Sequence, residues 1–317
     1  MYASIAFCLI VFALFYHTTS SSYVGNADPT SEFGRQQCGE PHHAESINAP
    51  EMYLYSGSVL SEEKALPYCA NYRLNPLPRE KAAKRKIYDL LLFNTELDML
   101  DIRLGQMAPA VDYFVILEGN KTFTNKDKPL LVQDNWSRYK PYHSKMIRRT
   151  MDFKTNEFKD SWTRENAIRN AMYDQVVPFL TGDQAPQIDD VLLVSDLDEL
   201  FKPEILTALR NCDIPQLITA ESRMYYYSFQ WLQALVWPHP QATLYKGPED
   251  TIRPDDVRYH GKEYHVFPDA GWHCSYCFRT MAEMVKKIGS FSHTELDKPE
   301  YTDPLKIIDR VRRGSDM

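Results

Sequence analysis

Three carboxylates stand together at Asp196-Leu197-Asp198-Glu199, directly after the apolar run Val191-Leu192-Leu193-Val194. That position, just past the carboxyl end of a buried strand, is where open α/β sheets place their ligands. In an extended chain Asp196 and Asp198 point the same way. Such hard oxygens suit Mg²⁺ or Mn²⁺, which takes its remaining ligands from water and substrate phosphates. A metal held there bridges a diphosphate and neutralises the charge that develops as the diphosphate departs. The non-functional alternative is a helix start decorated with acids, which the helix dipole favours on its own.

A second reading of the same motif is the aspartyl nucleophile of a haloacid-dehalogenase-type phosphatase. That family carries Thr or Val where Leu200 stands, and its motif opens the domain, whereas two βα elements come first here. The other stretch dense in functional side chains is Asp269-Ala270-Gly271-Trp272-His273-Cys274-Ser275-Tyr276-Cys277-Phe278. A neutral imidazole at His273 can complete a metal shell begun by Asp196 and Asp198, and Asp269 is placed to deprotonate a hydroxyl. The plainer reading is a disulfide-stiffened loop with buried rings. Structural zinc at Cys274 and Cys277 would need a second ligand pair at suitable spacing, and the sequence has none.

The elements that must position these residues begin at residue 87. Ile87-Tyr88-Asp89-Leu90-Leu91-Leu92-Phe93 reads as a buried strand, Leu97, Leu100, Leu104 and Met107 recur at helical spacing, and Asp112 to Leu117 reads as a second strand. Strand, helix, strand is a parallel βαβ unit with a right-handed crossover. Trp162 to Val177 carries a further helix stopped by Pro178, and residues 189–196 form a central parallel strand. Pro203 opens a helix carrying Ile205, Leu206 and Leu209. Thr280-Met281-Ala282-Glu283 is a capping box, and Gly289 stops the helix that follows. Residues 214–275 read as an irregular aromatic wall. The expected organisation is a signal peptide or anchor over 1–20, a stem over 21–86 that includes a solvated basic face at Lys81, Lys84, Arg85 and Lys86, and a catalytic domain over 87–317.

The net charge of the 317-residue chain is -7, which excludes sequence-independent nucleic-acid binding as its main task. The apolar segment Ile5 to Phe15 is short against the roughly 20 residues of a membrane span and lacks a basic flank, so it reads as a signal peptide or a short signal anchor. Either delivers the chain to the secretory lumen, as do the sequons at Asn120 and Asn135. Six cysteines include Cys8 in that segment, leaving Cys38, Cys69, Cys212, Cys274 and Cys277, whose pairing the sequence leaves open.

From residue 87 to near the C-terminus the chain resembles the β-1,4-mannosyl-glycoprotein 4-β-N-acetylglucosaminyltransferases. The resemblance rests on Ala270 to Phe278, on Asp196 to Glu199, on Asn94, Glu96, Asp98, Leu100 and Arg103, and on Glu118, Asn120 and Thr122. It implies an α/β fold of the GT-A kind, with a central mostly parallel sheet flanked by helices. It further implies an inverting transfer from UDP-N-acetylglucosamine to an N-glycan, a divalent metal, and a type II protein of the Golgi membrane, with a secreted form as the alternative. On this reading Asn94, Glu96 and Glu118 touch the donor nucleoside, and Arg164 and Arg169 reach its phosphates in forked contacts. Asp269, or failing it Glu199, is the base, and Trp231, Trp237 and Trp272 stack on acceptor sugars. Another nucleotide-sugar donor, and a glycan-binding relic without turnover, are the alternatives. The family pattern also leads one to expect more sequence beyond Met317.

Overall fold

The computed structural model describes residues 57–151, 158–259 and 264–317. Within them lie α1 (Glu62–Ala70), β1 (Asn75–Pro76), α2 (Arg79–Lys84), β2 (Ile87–Leu92), α3 (Leu97–Met107), β3 (Tyr113–Gly119), α4 (Leu131–Asp134), β4 (Met146–Met151), α5 (Ser161–Asp174), β5 (Val191–Asp196) and β6 (Glu199–Phe201). There follow α6 (Pro203–Asn211), β7 (Cys212–Asp213), β8 (Leu217–Tyr226), β9 (Leu232–Trp237), β10 (Gln241–Leu244), α7 (Pro254–Tyr259), β11 (His265–Ser275), α8 (Met281–Ile288), α9 (Pro299–Thr302) and α10 (Pro304–Arg313). The expected leader and Cys38 lie outside the described residues. Among those described, no helix is long and apolar enough to cross a membrane.

One large sheet runs β4-β3-β2-β5-β10-β8-β11-β6, with β9 added to β8. The expected βαβ unit is present: β2 lies between β3 and β5, parallel to both, and β4 is parallel to β3. Every residue of β2 is buried, as a strand covered on both faces must be. Side chains alternate across it. Ile87 and Leu91 pack with Leu100, Leu104 and Met107 of α3 on one face. Tyr88, Leu90 and Leu92 pack with Ile168, Met172 and Tyr173 of α5 on the other. The same alternation governs β5, so Ser195 turns toward α3 and Asp196 toward α5.

Two expectations need correction. Residues 214–275 are not irregular: they supply β8, β9, β10 and the long β11, which runs parallel to β8. Their mixed pattern arises because β8 and β9 are only partly covered, so apolar runs are broken by half-exposed positions. The catalytic domain also starts well before residue 87. Cys69 in α1 is disulfide-bonded to Cys212, the Tyr68 hydroxyl donates to the Glu204 carbonyl at 2.7 Å, and β1 pairs with β7. Arg85, expected on a solvated face, is buried and donates to the carbonyls of Leu209 and Cys212, each at 2.9 Å, while Lys81 and Lys84 are exposed.

The Cys69 to Cys212 bridge closes a long loop, which is where a crosslink limits the unfolded chain most. Replacing both cysteines by serine is expected to cost about 2–5 kcal/mol. The check is the melting temperature under non-oxidising and oxidising conditions; a double variant melting with the parent in both would remove the bridge from the account of stability.

Candidate active site

The chain does not stay extended through the acidic motif. It turns at Leu197-Asp198 between β5 and β6, and the carboxylates diverge. What sets the turn is Arg103, fully buried on α3. Its Nε and Nη2 each donate to the Asp89 carboxylate at 2.7 Å. Nη1 faces the carbonyls of Asp196, Leu197 and Glu199 at 3.0, 3.2 and 2.8 Å, and Nη2 also reaches the Ser195 hydroxyl. One guanidinium thus closes the turn from beneath and satisfies three carbonyls that would otherwise be buried unpaired.

Above the turn the acids are sorted. Asp196 accepts from Arg169 Nη1 at 2.8 Å and from Arg258 Nη2 at 3.0 Å, one arginine on each carboxylate oxygen. Glu199 is fully buried. It accepts from Arg258 Nη1 at 2.6 Å, from Trp237 Nε1 at 3.0 Å and from the Asp196 N–H at 3.0 Å. Burial alone would push the Glu199 carboxyl up, but Arg258, His239 and His273 together outweigh it and hold it well below the usual range. Arg169 also donates to Glu165 at 2.6 Å. The motif's first and last acids are therefore committed to arginines, the arrangement buried charges need if they are to remain ionised.

Asp198 turns the other way. Its Oδ2 lies 3.7 Å from His273 Nε2 and 3.7 Å from Lys287 Nζ, too far for a hydrogen bond to either. His273 faces Glu199 across the β11 to β6 ladder, and its Nδ1 is buried without a hydrogen-bond partner. Burial tends to raise the Asp198 carboxyl, but Lys287 and His273 bring it down to about 2. For His273 burial lowers the ring's proton affinity, and the Asp198 carboxylate more than reverses this. Two atoms each about 2.1 Å from a common Mg²⁺ or Mn²⁺ lie at most about 4.2 Å apart, so Asp198 and His273 can share one ion. Among the described residues no group of three or more His, Cys, Asp or Glu side chains converges as a metal cage. The fit is to a two-ligand protein site completed by substrate phosphate and water, the usual habit of Mg²⁺. Asp196, expected to ligate beside Asp198, has both oxygens taken by arginine.

The remaining expected residues divide sharply. Asn94 and Glu96 line a cleft of about 80 Å³ beside Asp196 and Lys287. The Asn94 amide nitrogen donates to Ser290, while its Oδ1 is buried and unpartnered. Glu118 does not reach the cleft: it accepts from the N–H groups of Val132 and Gln133 at 2.8 and 3.1 Å, at the start of α4. Arg164 donates to the Phe123 carbonyl at 2.6 Å and does not line the cleft, while Arg169 is used up by two acids. Asp269 is four residues along β11 from His273, on the order of 10 Å away. It is half-exposed and held by Lys202 and Arg223, each at 2.9 Å.

The three tryptophans also part company. Trp237 belongs to the acid cluster through Glu199. Trp231 lies against Gly314, where even a Cβ would come within 2.1 Å of the ring, and so packs the C-terminal helix onto the sheet. Trp272 alternates with His273 and faces an apolar cavity of about 400 Å³ lined by Met99, Ile102 and Phe229. Cys274 and Cys277 form a disulfide, not half a zinc site. Asn120 is exposed, as a glycosylated asparagine must be, whereas the Asn135 amide is engaged with the Leu131 carbonyl at 2.8 Å. Sequence reasoning did not single out Arg258 or Lys287, and gave Arg103 no role. Only the spacing of Arg103, on the α3 stripe between Leu100 and Leu104, carried a signal, because a cation at a core position needs a buried partner.

An acid turn at the carboxyl edge of a parallel βαβ sheet stands where α/β enzymes place their ligands. The family model of glycosyltransferase family 17 matches residues 72–317, and the chain belongs to that family. Among its relatives are the β-1,4-mannosyl-glycoprotein 4-β-N-acetylglucosaminyltransferases of Rattus norvegicus and Homo sapiens, each 23% identical over 268 residues. The matches cover 74% of this chain and 46% of each relative, so the chain spans about half the length of the curated relatives it matches. A solved mannosyltransferase from Pyrobaculum calidifontis aligns with a TM-score of 0.36 at 9% identity, over 79% of this chain and 76% of that one.

Replacing Arg103 by leucine leaves Asp89 as an unpaired buried charge and is expected to cost about 3–5 kcal/mol. Replacing Asp89 as well should recover part of that loss, because the stranded charge is gone, but the turn carbonyls stay unheld. Chemical denaturation of the two variants checks this; equal destabilisation in both would show that the ion pair is not the source.

Proposed function

We propose that this chain transfers N-acetylglucosamine from UDP-N-acetylglucosamine to a mannose of an N-glycan, forming a β-1,4 linkage with inversion. The observation that carries the reading is the approach of Asp198 Oδ2 and His273 Nε2 to 3.7 Å at the carboxyl edge of the sheet. Family membership and the activity named for its relatives supply the donor and acceptor. In this proposal Asp198 and His273 hold one divalent ion, Mn²⁺ or Mg²⁺. The ion supplies Lewis-acid neutralisation of the departing diphosphate. The protein's own part is to keep the two ligands apart and fixed: Arg103 clamps the turn that carries Asp198, and the β6 to β11 ladder places His273 opposite. Asn94, with its buried and unpaired Oδ1, borders the cleft beside the acid turn on the side proposed for the donor.

The site of action proposed is the lumen of the secretory pathway, with the chain anchored in the Golgi membrane by its N-terminal segment. Two disulfides support an oxidising compartment, and the exposed Asn120 sequon agrees.

The test is a transfer assay with UDP- and GDP-sugars, N-glycan acceptors, and either Mn²⁺ or a chelator. Transfer from UDP-N-acetylglucosamine is expected to require metal and to fall at least about a hundredfold in Asp198→Ala. Metal-independent transfer, or an Asp198→Ala variant as active as the parent, would sink the assignment of Asp198. Glycan binding without consumption of any donor would leave a binding protein in place of the enzyme.

A further inference from the structure

Besides Arg103 beneath it, Arg169, Arg258 and Lys287 stand near the acid turn, and they are not equivalent. Arg169 is shared between Glu165 and Asp196, and Arg258 between Asp196 and Glu199, so both guanidinium groups face carboxylates on either side. Lys287 differs. Its ammonium has three N–H bonds and, among the described residues, a single partner at hydrogen-bond distance, the Glu96 carboxylate, with Asp198 Oδ2 at 3.7 Å. It also lines the cleft that Asn94, Glu96 and Asp196 border, where the other two cations do not appear.

Its place is built and not accidental. The Thr280 to Glu283 capping box fixes the start of α8, and Met284 and Ile288 anchor the helix in an apolar cluster with Tyr276 and Ile307. That rotation leaves Lys286 exposed and turns Lys287 inward, in the last helical turn where the helix dipole favours a cation. A polyanion entering this cleft passes Glu96, Asp196 and Asp198, and it can do so only toward a cation with donors to spare.

We propose that Lys287 binds the diphosphate of the nucleotide donor and meets the charge that develops on it as the sugar leaves. The inference rests on the donor reading given above. In the step it serves, the acceptor hydroxyl oxygen bonds to the anomeric carbon and releases its proton to solvent. The bond from that carbon to the diphosphate oxygen breaks, and its electron pair stays on the diphosphate. Lys287 donates N–H to that oxygen or its neighbour.

The experiment is calorimetric titration of the full-length protein with UDP and with uridine, in Mn²⁺ and in chelator. Lys287→Met is expected to weaken UDP binding by at least about tenfold while uridine affinity stays within twofold, and Lys287→Arg should restore part of the loss. A correctly folded Lys287→Met protein that binds UDP as tightly as the parent overturns the role of Lys287 and leaves the donor reading standing. A parent protein that binds neither UDP nor uridine overturns the donor reading, and the proposal with it. Should Lys287→Met melt early, Lys287→Gln decides at a temperature where it and the parent are both folded: it keeps N–H donors for Glu96 but carries no charge, so UDP should again bind at least about tenfold weaker with uridine within twofold, and parent-like UDP binding overturns the proposal.

Discussion

A buried guanidinium is tolerable only where every donor is used, and Arg103 uses all of its own on one carboxylate, one hydroxyl and three carbonyls. This single requirement joins the first βαβ unit to the acid turn. Asp89 sits in the middle of β2 on the α3 face, and Arg103 reaches from α3 across it to the end of β5. The energetic coupling runs in both directions: the ion pair survives burial because the carbonyls complete the donor set, and the turn survives because the ion pair holds the arginine still.

Once the turn is fixed, the alternation of side chains along β5 and β6 distributes the acids without further help. Asp196 falls on the α5 face and meets Arg169. Glu199 begins β6 and meets Arg258 and Trp237. Asp198, at the corner, belongs to neither strand face and is left to His273 and Lys287. Three acids in four residues would repel one another in any uniform environment. Arg169 on Asp196, Arg258 shared between Asp196 and Glu199, and His273 and Lys287 beside Asp198 remove the conflict.

The sequence is most legible where a single period dominates. β2, α3, β3 and β5 follow from apolar runs and helical spacing, and the place of the acidic motif at the end of β5 follows from the apolar run before it. The pairing of Asp198 with His273 is legible as chemistry, although 75 residues separate them. What eluded the sequence has a common cause: a charged side chain looks the same whether it is solvated or buried against a partner distant in the chain. Arg103, Arg258 and Lys287 therefore read as ordinary basic residues, Glu118 as a nucleoside contact when it satisfies the start of α4, and Asp269 as a free base when Lys202 and Arg223 hold it. The strands of residues 214–275 hide for a different reason, since partial cover breaks the period of two that marks a strand.

The separation of Asp198 and His273 is set by backbone and not by side-chain reach. The Cys274 N–H donates to the Asp198 carbonyl at 3.2 Å, so the residue after the histidine is tied to the corner acid itself. On its other side β11 lies parallel to β8 through the His273 to Met224 pair, and the Tyr227 N–H donates to the Ser275 carbonyl at 2.9 Å. Gly271 lets the strands approach: a Cβ there would fall 2.3 Å from Ser222 Oγ and 2.7 Å from the Leu200 carbonyl. The disulfide from Cys274 to Cys277 then closes the end of the strand around Tyr276, whose φ of 58° ends the extended run. Asp198 and His273 are thus fixed through the main chains that bear them, which is why the Ala270 to Phe278 block combines a glycine, a histidine and two cysteines within nine residues.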